Sequence, residues 1–316
     1  IPNQGILIDT LALQEAAASS EIENIVTTQD ELFQTNASKQ IFPSASAKEV
    51  ALYSSALRRG FDDILNRQYV VTKNCIIGMF QILKNTTGDF RKTPGTVLKN
   101  ERTKEIVFVP PQGAHEIDNL MNKLELFINN DLPEEIDPIV AMAIIHHQFE
   151  SIHPFPDGNG RIGRIINVLY LCKMGFLRIP ILYISRYIVR NKAEYYRLLQ
   201  AVRDNGEWED WVLFIIRGVA ETAKETSELV SSMKLLMDNF KDRLRSETKI
   251  YSHELANNLF SHPYTRIEYV MEDVGVSRPT AGRYLEQVCQ IGLLTKLEIG
   301  RNNYYVNTEL VKLLVN

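Results

Sequence analysis

One stretch of this sequence combines an imidazole, a carboxylate, glycines and two guanidinium groups within twelve residues. It runs from His153 to Arg164 and reads His-Pro-Phe-Pro-Asp-Gly-Asn-Gly-Arg-Ile-Gly-Arg. Gly158 and Gly160 permit backbone conformations that other residues avoid, so consecutive N–H groups can converge on one anion where the next helix begins. The positive end of that helix adds to the attraction. The stretch therefore predicts a phosphate-binding site.

The charged side chains of the same stretch fit nucleotide chemistry. Arg161 and Arg164 lie three residues apart, near one face of the predicted helix, and each can bind phosphate oxygens with two N–H groups. Asp157 would repel a phosphate, which favours a bridging Mg²⁺ ion at this carboxylate. His153 is of the residue type that can accept a proton from an attacking hydroxyl near neutral pH. Together these residues indicate group transfer from ATP.

The stretch resembles, at every position, the Fic family signature His-x-Phe-x-(Asp/Glu)-Gly-Asn-Gly-Arg-x-x-Arg. The resemblance implies a mainly α fold, with a helical Fic (Fido) core and a small β-hairpin flap. It also implies transfer of AMP from ATP to a Ser, Thr or Tyr hydroxyl of a target protein. By the same resemblance His153 is the general base, Phe155 anchors the loop and Asp157 holds Mg²⁺. The residues that it assigns to ATP are Gly158, Asn159, Gly160, Arg161 and Arg164. The alternative is a tight loop between helices, with its arginines paired to core carboxylates.

A second resemblance concerns a helix that we predict to end near Asn24. Ser19, Glu23 and Asn24 fit the family's inhibitory pattern, (Ser/Thr)-x-x-x-Glu-(Gly/Asn), in the class that carries this helix N-terminally. The resemblance implies that Glu23 pairs with Arg164, which should hold the γ-phosphate, and so misaligns ATP. An ordinary helix C-terminus is the alternative interpretation of so short a pattern. We therefore expect an autoinhibited adenylyltransferase.

Hydrophobic periodicity predicts the elements that position these residues. A helical pattern over 134–151 leads into the loop, and another over 162–174 follows it. Two β-prone runs around a polar turn predict a hairpin over 96–109. The resemblance makes this hairpin the flap on which a target protein docks by strand addition, and a structural cap over the loop is the alternative. We assign Tyr195 and Tyr196 to the wall of the adenine pocket, with burial in the core as the alternative.

The pattern of elements divides the chain into four predicted segments. They are an N-terminal helical segment with the inhibitory helix (1–90), a Fic catalytic core (91–223), a linker helix (224–249) and a winged helix-turn-helix domain (250–316). The last segment follows from its order of helices and a final strand-turn-strand. The residues that suit DNA phosphates are Arg278, Thr280, Arg283, Lys296 and Arg301, whereas nearby acidic residues oppose them. DNA binding and protein docking are both open for this domain.

Composition restricts the class of protein. The chain has 316 residues, of which 45% are hydrophobic and 23% charged, a balance typical of a globular protein with more than one domain. Its formal charge of −4 gives no global attraction for nucleic acid or anionic lipid. Three widely spaced cysteines fit a reducing compartment, and no apolar run reaches the roughly 20 residues that cross a bilayer. We expect a cytoplasmic protein without membrane contact.

Other functions use the same residues. A Fic core also supports transfer of other phosphate-containing groups and, where the inhibitory glutamate positions water, removal of AMP from a modified protein. A further alternative is a transcriptional regulator, in which the winged helix binds DNA and the Fic core senses nucleotide. The resemblance also implies self-association as a homodimer.

Overall fold

The computed structural model describes residues 4–36, 42–99, 103–130, 133, 135–299 and 302–315. The elements are α1 (Gln4–Ile22), α2 (Gln29–Asn36), α3 (Ala45–Asn66), α4 (Lys73–Lys84), β1 (Leu98–Lys99), β2 (Ile106–Phe108), α5 (Ala114–Asn129), α6 (Pro138–Ile152), α7 (Asn159–Lys173), α8 (Ile184–Arg190), α9 (Lys192–Asn205), α10 (Trp208–Glu247), α11 (His253–Ser261), β3 (Tyr264–Thr265), α12 (Ile267–Val274), α13 (Arg278–Gln290), β4 (Thr295–Ile299), β5 (Asn302–Val306) and α14 (Thr308–Val315). The expectation of a mainly α fold with a small hairpin is confirmed. Within the described ranges, no helix is both long and apolar enough to cross a membrane.

Contacts between Cα atoms divide the chain into two units that interleave along the sequence. The first comprises Ile1–Gln14, Thr27–Lys48 and Lys224–Asn316, and the second comprises Glu15–Val26 and Glu49–Ala223. All the residues expected to do chemistry or to inhibit it belong to the second unit, which we call the core unit. The four segments proposed from the sequence stay a prediction.

The centre of the core unit is the pair of helices that flank the candidate loop. Apolar side chains surround most of α6, and nearly all of α7 is buried, as expected for helices inside a core. Asp137 caps the start of α6 by accepting a hydrogen bond from the Ile139 N–H, and Pro138 occupies the first turn. Buried on α6, His146 contacts the Tyr195 hydroxyl at 2.8 Å.

The predicted hairpin consists of β1 and β2, which pair antiparallel with Leu98 opposite Phe108. Of the polar turn predicted over 100–104, residues 100–102 lie outside the described residues. Two side chains of α9 hold β2. The Arg203 guanidinium lies 4.2 Å above the Phe108 ring, and Gln200 donates a hydrogen bond to the Val107 carbonyl at 3.2 Å. The hairpin is therefore fixed to a helix that borders the candidate site.

The C-terminal part of the first unit has the expected order of helices followed by a strand pair. Strands β3, β5 and β4 form one antiparallel sheet in that order. Tyr264 of β3 donates a hydrogen bond to Asp30 at 2.5 Å and stacks on Phe33 at 5.8 Å, which fixes α2 to the sheet. This unit therefore includes a helix from near the N-terminus.

Two predicted DNA-binding cations of this unit are already paired. Arg278 lies 2.8 Å from Glu268, and Lys296 lies 2.8 Å from Glu286. Arg301 lies outside the described residues. Each ion pair reduces the local positive charge that DNA phosphates would require.

Candidate active site

The loop between α6 and α7 begins and ends with a residue in the left-handed backbone region. His153 ends α6 with φ 50° and ψ 56°, and Gly158 precedes α7 with φ 82°. Glycine adopts this region at little cost, whereas a residue with a side chain does so only when its surroundings hold it there. The loop therefore reverses the chain abruptly and places the His153 ring beside the N-terminus of α7.

Phe155 and Asn159 fix the interior of this loop. Phe155 is fully buried and stacks on Phe80 at 4.0 Å, which agrees with its expected role as an anchor. The Asn159 side chain accepts a hydrogen bond from the Phe155 N–H and donates one to the Phe155 carbonyl, both at 2.8 Å. Because its amide is used in this way, Asn159 can contribute to an anion site through its backbone N–H, which has no partner within the helix.

Arg91 binds the backbone where α6 ends and the loop begins. Its Nε donates to the His153 carbonyl at 2.7 Å, and one Nη donates to the carbonyls of Ile152, at 3.2 Å, and Pro111. The Arg91 N–H also donates to the Pro154 carbonyl at 2.8 Å. A buried cation at a helix C-terminus satisfies carbonyls that have no partner within the helix. Arg91 thus holds His153 in its unusual conformation.

Replacing Arg91 with methionine should destabilise the protein by about 2 to 3 kcal/mol, since hydrogen bonds from a charged donor to several buried carbonyls are lost. Chemical denaturation followed by circular dichroism would measure the change. Arg197→Met is the matched control. Arg197 is exposed and pairs with Glu194 three residues before it, so its loss should leave the stability of the protein almost unchanged. Equal stability of the two variants would contradict the role given to Arg91.

Arg203 of α9 contributes a second cation to the same helix end. It donates to the Glu150 carbonyl at 3.1 Å and to the Ser151 hydroxyl at 3.2 Å. Burial lowers the pKa of His153 to about 4, and the positive charges of Arg91 and Arg203 add to this effect. The His153 imidazole is therefore neutral at pH 7, which is the form that a general base requires.

The His153 ring should titrate with a midpoint near pH 4, far below the usual value of about 6.5. A histidine pKa that is lowered by burial keeps the ring neutral at all higher pH, so protonation should begin only in acid. Nuclear magnetic resonance of histidine-labelled protein would give the midpoint, with the signal assigned by its absence in His153→Asn. Arg203→Met should raise the midpoint, because one positive charge near the ring is removed. An ordinary midpoint near 6.5 in the parent protein would contradict the structure.

The loop carboxylate and the first arginine of α7 each pair with a side chain of opposite charge. Asp157 is largely exposed, and one of its oxygens lies 2.7 Å from the Lys84 ammonium. Burial opposes ionisation, but Lys84 and Arg161 hold the pKa of Asp157 below its ordinary value. Arg161 is 2% exposed and donates to Glu49 at 2.5 Å. Asp157 is thus an accessible carboxylate, whereas Arg161 is bound by a carboxylate of α3.

The second arginine of α7 makes the contact that the inhibitory pattern predicted. Arg164 is 1% exposed, and its Nη2 donates to a Glu23 carboxylate oxygen at 2.7 Å. The same guanidinium donates to the Ser19 hydroxyl at 2.7 Å and to the Ser19 carbonyl at 2.9 Å. Ser19 in the last turn of α1 and Glu23 directly after it thus bind one edge of this guanidinium.

Glu23 also lies over the first turn of α7. A Cβ atom at Gly160 would be 2.3 Å from the Glu23 carboxylate, so a side chain at this position would displace the carboxylate. The carboxylate is therefore placed where the N-terminus of α7 would bind an anion. Asn24 has φ 61°, a conformation that asparagine and glycine tolerate well, and its side chain accepts from Lys192 at 3.0 Å. This geometry explains why the pattern ends in Gly or Asn.

A cavity of about 670 Å³ adjoins these groups, a size that suits a nucleotide. The loop, α1, the hairpin and α9 all contribute to its wall. Both tyrosines expected to wall the adenine pocket border it. Tyr195 is 2% exposed and belongs mainly to the core, whereas Tyr196 is 44% exposed. Of the two, Tyr196 presents the larger surface to a ligand.

Glu150 is a functional candidate that the sequence analysis did not assign. It lines the cavity and is 7% exposed, and one of its oxygens has no hydrogen-bond partner in the described part of the chain. Burial raises its pKa to about 7, although the Arg164 charge acts in the opposite direction. Arg91 and Arg203 also received no role from the sequence. The signal that could have found Arg91 and Glu150 is the resemblance of the segments Gly88–Arg91 and His147–Glu150 to the Fic family.

Three family models match this chain in succession. The Fic/DOC family N-terminal model matches residues 1–62, and the Fic/DOC family model matches 71–171, which contains the loop and both arginines of α7. The model of the protein adenylyltransferase SoFic-like C-terminal domain matches residues 236–310. Together the three matches cover most of the chain.

Curated relatives include proteins of bacteria and animals. The chain is 25% identical over 260 residues to the probable protein adenylyltransferase aq_aa38 of Aquifex aeolicus, covering 78% of this chain and 72% of that protein. It is 26% identical over 153 residues to the protein adenylyltransferase Fic of Drosophila willistoni, covering 47% of this chain and 29% of the insect protein. The chain thus spans most of the bacterial relative and less than a third of the insect one.

Solved structures share the fold at low sequence identity. A Fic family protein from Desulfovibrio desulfuricans superposes with a TM-score of 0.57 at 20% identity, over 96% of this chain and 86% of that one. A Fic domain-containing signalling protein from Bacteroides thetaiotaomicron gives a TM-score of 0.57 at 19% identity, over 71% of this chain and 87% of that one. Because the three family models match successive parts of the chain, it belongs to the Fic/DOC family, and its C-terminal region matches the SoFic-like protein adenylyltransferase C-terminal domain.

Proposed function

We propose that this chain is a protein adenylyltransferase that moves AMP from ATP to a Ser, Thr or Tyr hydroxyl of a target protein, and that Glu23 inhibits it. The observation that carries the proposal is the convergence of three groups on one cavity. These are the neutral imidazole of His153, the N-terminus of α7 at Gly160 and the guanidinium of Arg164. The names of the curated relatives and the family models agree with this activity.

In the proposed step, His153 accepts the proton of the target hydroxyl while the hydroxyl oxygen attacks the α-phosphorus of ATP. The new O–P bond joins AMP to the protein, and the bond to the bridging oxygen breaks so that pyrophosphate leaves. The N–H groups at the start of α7 stabilise the negative charge on the phosphate oxygens. Arg161 and Arg164 bind the distal phosphates.

Asp157 is the residue that fits a magnesium ion. Its carboxylate is exposed beside the start of α7, and oxygen ligands are the ones that Mg²⁺ prefers. No cluster of three or more His, Cys, Asp or Glu residues suited to a metal occurs among the described residues. This fits an ion held chiefly by the ATP phosphates together with one carboxylate, for which Asp157 would exchange its Lys84 partner. The ion would neutralise phosphate charge.

The hairpin is the proposed docking site for the target. Ile106, Val107 and Val109 are exposed there, and the hairpin borders the cavity that contains His153. An extended segment of the target could add to the hairpin edge and thereby place a hydroxyl near the imidazole. The proposal includes no DNA site, because ion pairs with Glu268 and Glu286 occupy two of the candidate cations.

Position-specific labelling of ATP tests the reaction. With Mg²⁺ and a host lysate, label in the α-phosphate should become attached to protein, whereas label in the γ-phosphate should not. Intact-mass measurement should then show addition of one AMP. Transfer of the γ-label would identify a phosphate transferase instead and overturn the proposal.

Incubation with a target that already carries AMP separates transfer from removal. An adenylyltransferase inhibited by Glu23 leaves the modified target unchanged, and its Glu23→Gly form is the better writer. An enzyme that removes AMP would instead release it, and would lose that activity in Glu23→Gly if the carboxylate positions the attacking water. Release of AMP by the parent would therefore reverse the proposed direction.

A further inference from the structure

Three polar residues lie along one face of the inhibitory helix. Glu15, Ser19 and Glu23 follow each other at intervals of four residues, which places their side chains on the same side of α1. Ser19 and Glu23 bind Arg164. Glu15, one turn further from the site, does not belong to the inhibitory pattern and is only 2% exposed. Its contacts therefore need a separate explanation.

Glu15 accepts hydrogen bonds from two other helices of the core unit. The Tyr53 hydroxyl of α3 donates to Oε1 at 3.1 Å. At α8, the Ser185 hydroxyl also donates to Oε1, and the Ser185 N–H donates to Oε2 at 3.2 Å. All three partners are donors, and an ionised carboxylate is a pure acceptor. Three hydrogen bonds thus connect the Glu15 carboxylate to α3 and α8.

This arrangement is costly for the fold. Burial raises the pKa of Glu15 to about 7, against the hydrogen bonds from Ser185 and Tyr53 and the charge of Arg164, which all act to lower it. A buried carboxylate therefore contributes less to stability than an apolar side chain of similar size would. What it does provide is directional contacts, which fix one orientation of the helix.

Apolar packing alone gives α1 little rotational preference. Apolar residues occur on most sides of the helix, and the buried ones are Ile6, Leu7, Leu11, Ala12, Leu13, Ala16 and Ile22. For a helix that is apolar around its circumference, the area of apolar surface buried does not by itself select one rotation. The hydrogen bonds of Glu15 supply the missing constraint, since they connect α1 to fixed points on α3 and α8.

We infer that Glu15 is a positioning residue for inhibition, which sets the rotation and axial position of α1 so that Ser19 and Glu23 meet Arg164. The inference rests on the proposed function, because inhibition is defined against AMP transfer. It extends the inhibitory device beyond the known pattern to a polar network that joins Tyr53, Glu15 and Ser185.

Two variants of different severity test the inference. Glu15→Gln keeps the shape but replaces charge-assisted hydrogen bonds with weaker neutral ones, and Tyr53→Phe removes one hydroxyl and keeps the ring. The matched control is Glu21→Gln, since Glu21 is exposed on the same helix. We expect AMP transfer to rise about fivefold in Glu15→Gln, the effect of weakening a buried hydrogen bond, with a smaller rise in Tyr53→Phe and none in the control.

Combination with Glu23→Gly shows whether the two glutamates act on the same contact. Once Glu23 is removed, Glu15→Gln should add no further increase, because both changes release Arg164. An increase that multiplies with that of Glu23→Gly would overturn the inference. So would parent-like rates in both Glu15→Gln and Tyr53→Phe. If Glu15→Gln fails to fold, Tyr53→Phe decides.

Hydrogen exchange supplies a readout that does not depend on activity. Amides of residues 15–22 should exchange about threefold to fivefold faster in Glu15→Gln and Tyr53→Phe than in Glu21→Gln, because the helix is held less firmly. Unchanged exchange would contradict the positioning role. If Glu23→Gly transfers no AMP, the proposed function fails, whereas exchange still tests what Glu15 does to α1.

Discussion

Replacing Glu23 with glycine should raise the rate of AMP transfer by on the order of tenfold or more. In the parent, the Glu23 carboxylate lies 2.7 Å from Arg164 and over Gly160, so it occupies both a guanidinium and the anion site at the start of α7. Its removal leaves these groups free to bind the ATP phosphates. Initial rates with α-labelled ATP, at equal enzyme and target concentrations, would measure the gain.

The matched control for this change is Glu21→Gly. It introduces the same flexible residue near the end of α1, at an exposed position. Its rate should remain near that of the parent, because a local loss of helix propensity does not remove the carboxylate. If Glu23→Gly and the parent transfer AMP equally fast, the pairing with Arg164 is structural and does not inhibit.

Replacing Glu23 with glycine should raise the affinity for ATP as well as the rate of AMP transfer. Release of Arg164 restores a partner for the distal phosphates, so Glu23→Gly should bind ATP with Mg²⁺ more tightly than the parent does. A gain in rate without a gain in affinity would indicate that Glu23 misaligns bound ATP, whereas a gain in both would indicate that it competes with the phosphates. Titration calorimetry distinguishes these two forms of inhibition.

The chemistry of the loop could be predicted because its determinants are local. Gly158 allows the left-handed turn into α7, Phe155 anchors the loop, and the two arginines follow on the next helix. These features depend on residue type and spacing within twelve positions. The pairing of Glu23 with Arg164 spans 141 positions and was available only through resemblance to a family.

The supporting contacts could not be predicted because they join distant parts of the chain. Arg91 reaches a carbonyl 62 positions away, and nothing near it in the sequence indicates that this arginine is buried. For Asn159, the sequence could not show that its amide closes the loop around Phe155. Tyr195 and Tyr196 are adjacent and chemically identical, so only the orientation of α9 decides which one faces the core.

Replacing His153 with alanine in the Glu23→Gly background should lower AMP transfer by about a hundredfold to ten-thousandfold, the usual contribution of a general base, while ATP still binds. The proposed phosphate contacts come from Arg161, Arg164 and the backbone of α7, and the imidazole is not among them. Transfer assays combined with titration calorimetry would separate the two effects. His115→Ala, at an exposed histidine of α5, is the control and should transfer AMP normally.

The backbone of His153 requires a second variant. Its φ of 50° disfavours alanine, so part of any loss in His153→Ala could come from a displaced loop. Asparagine tolerates this conformation better and cannot act as a base at neutral pH. His153→Asn should therefore keep the stability of the parent and still lose transfer. Transfer at the parental rate by a folded His153→Asn would remove the imidazole from the reaction and leave catalysis to the phosphate site alone.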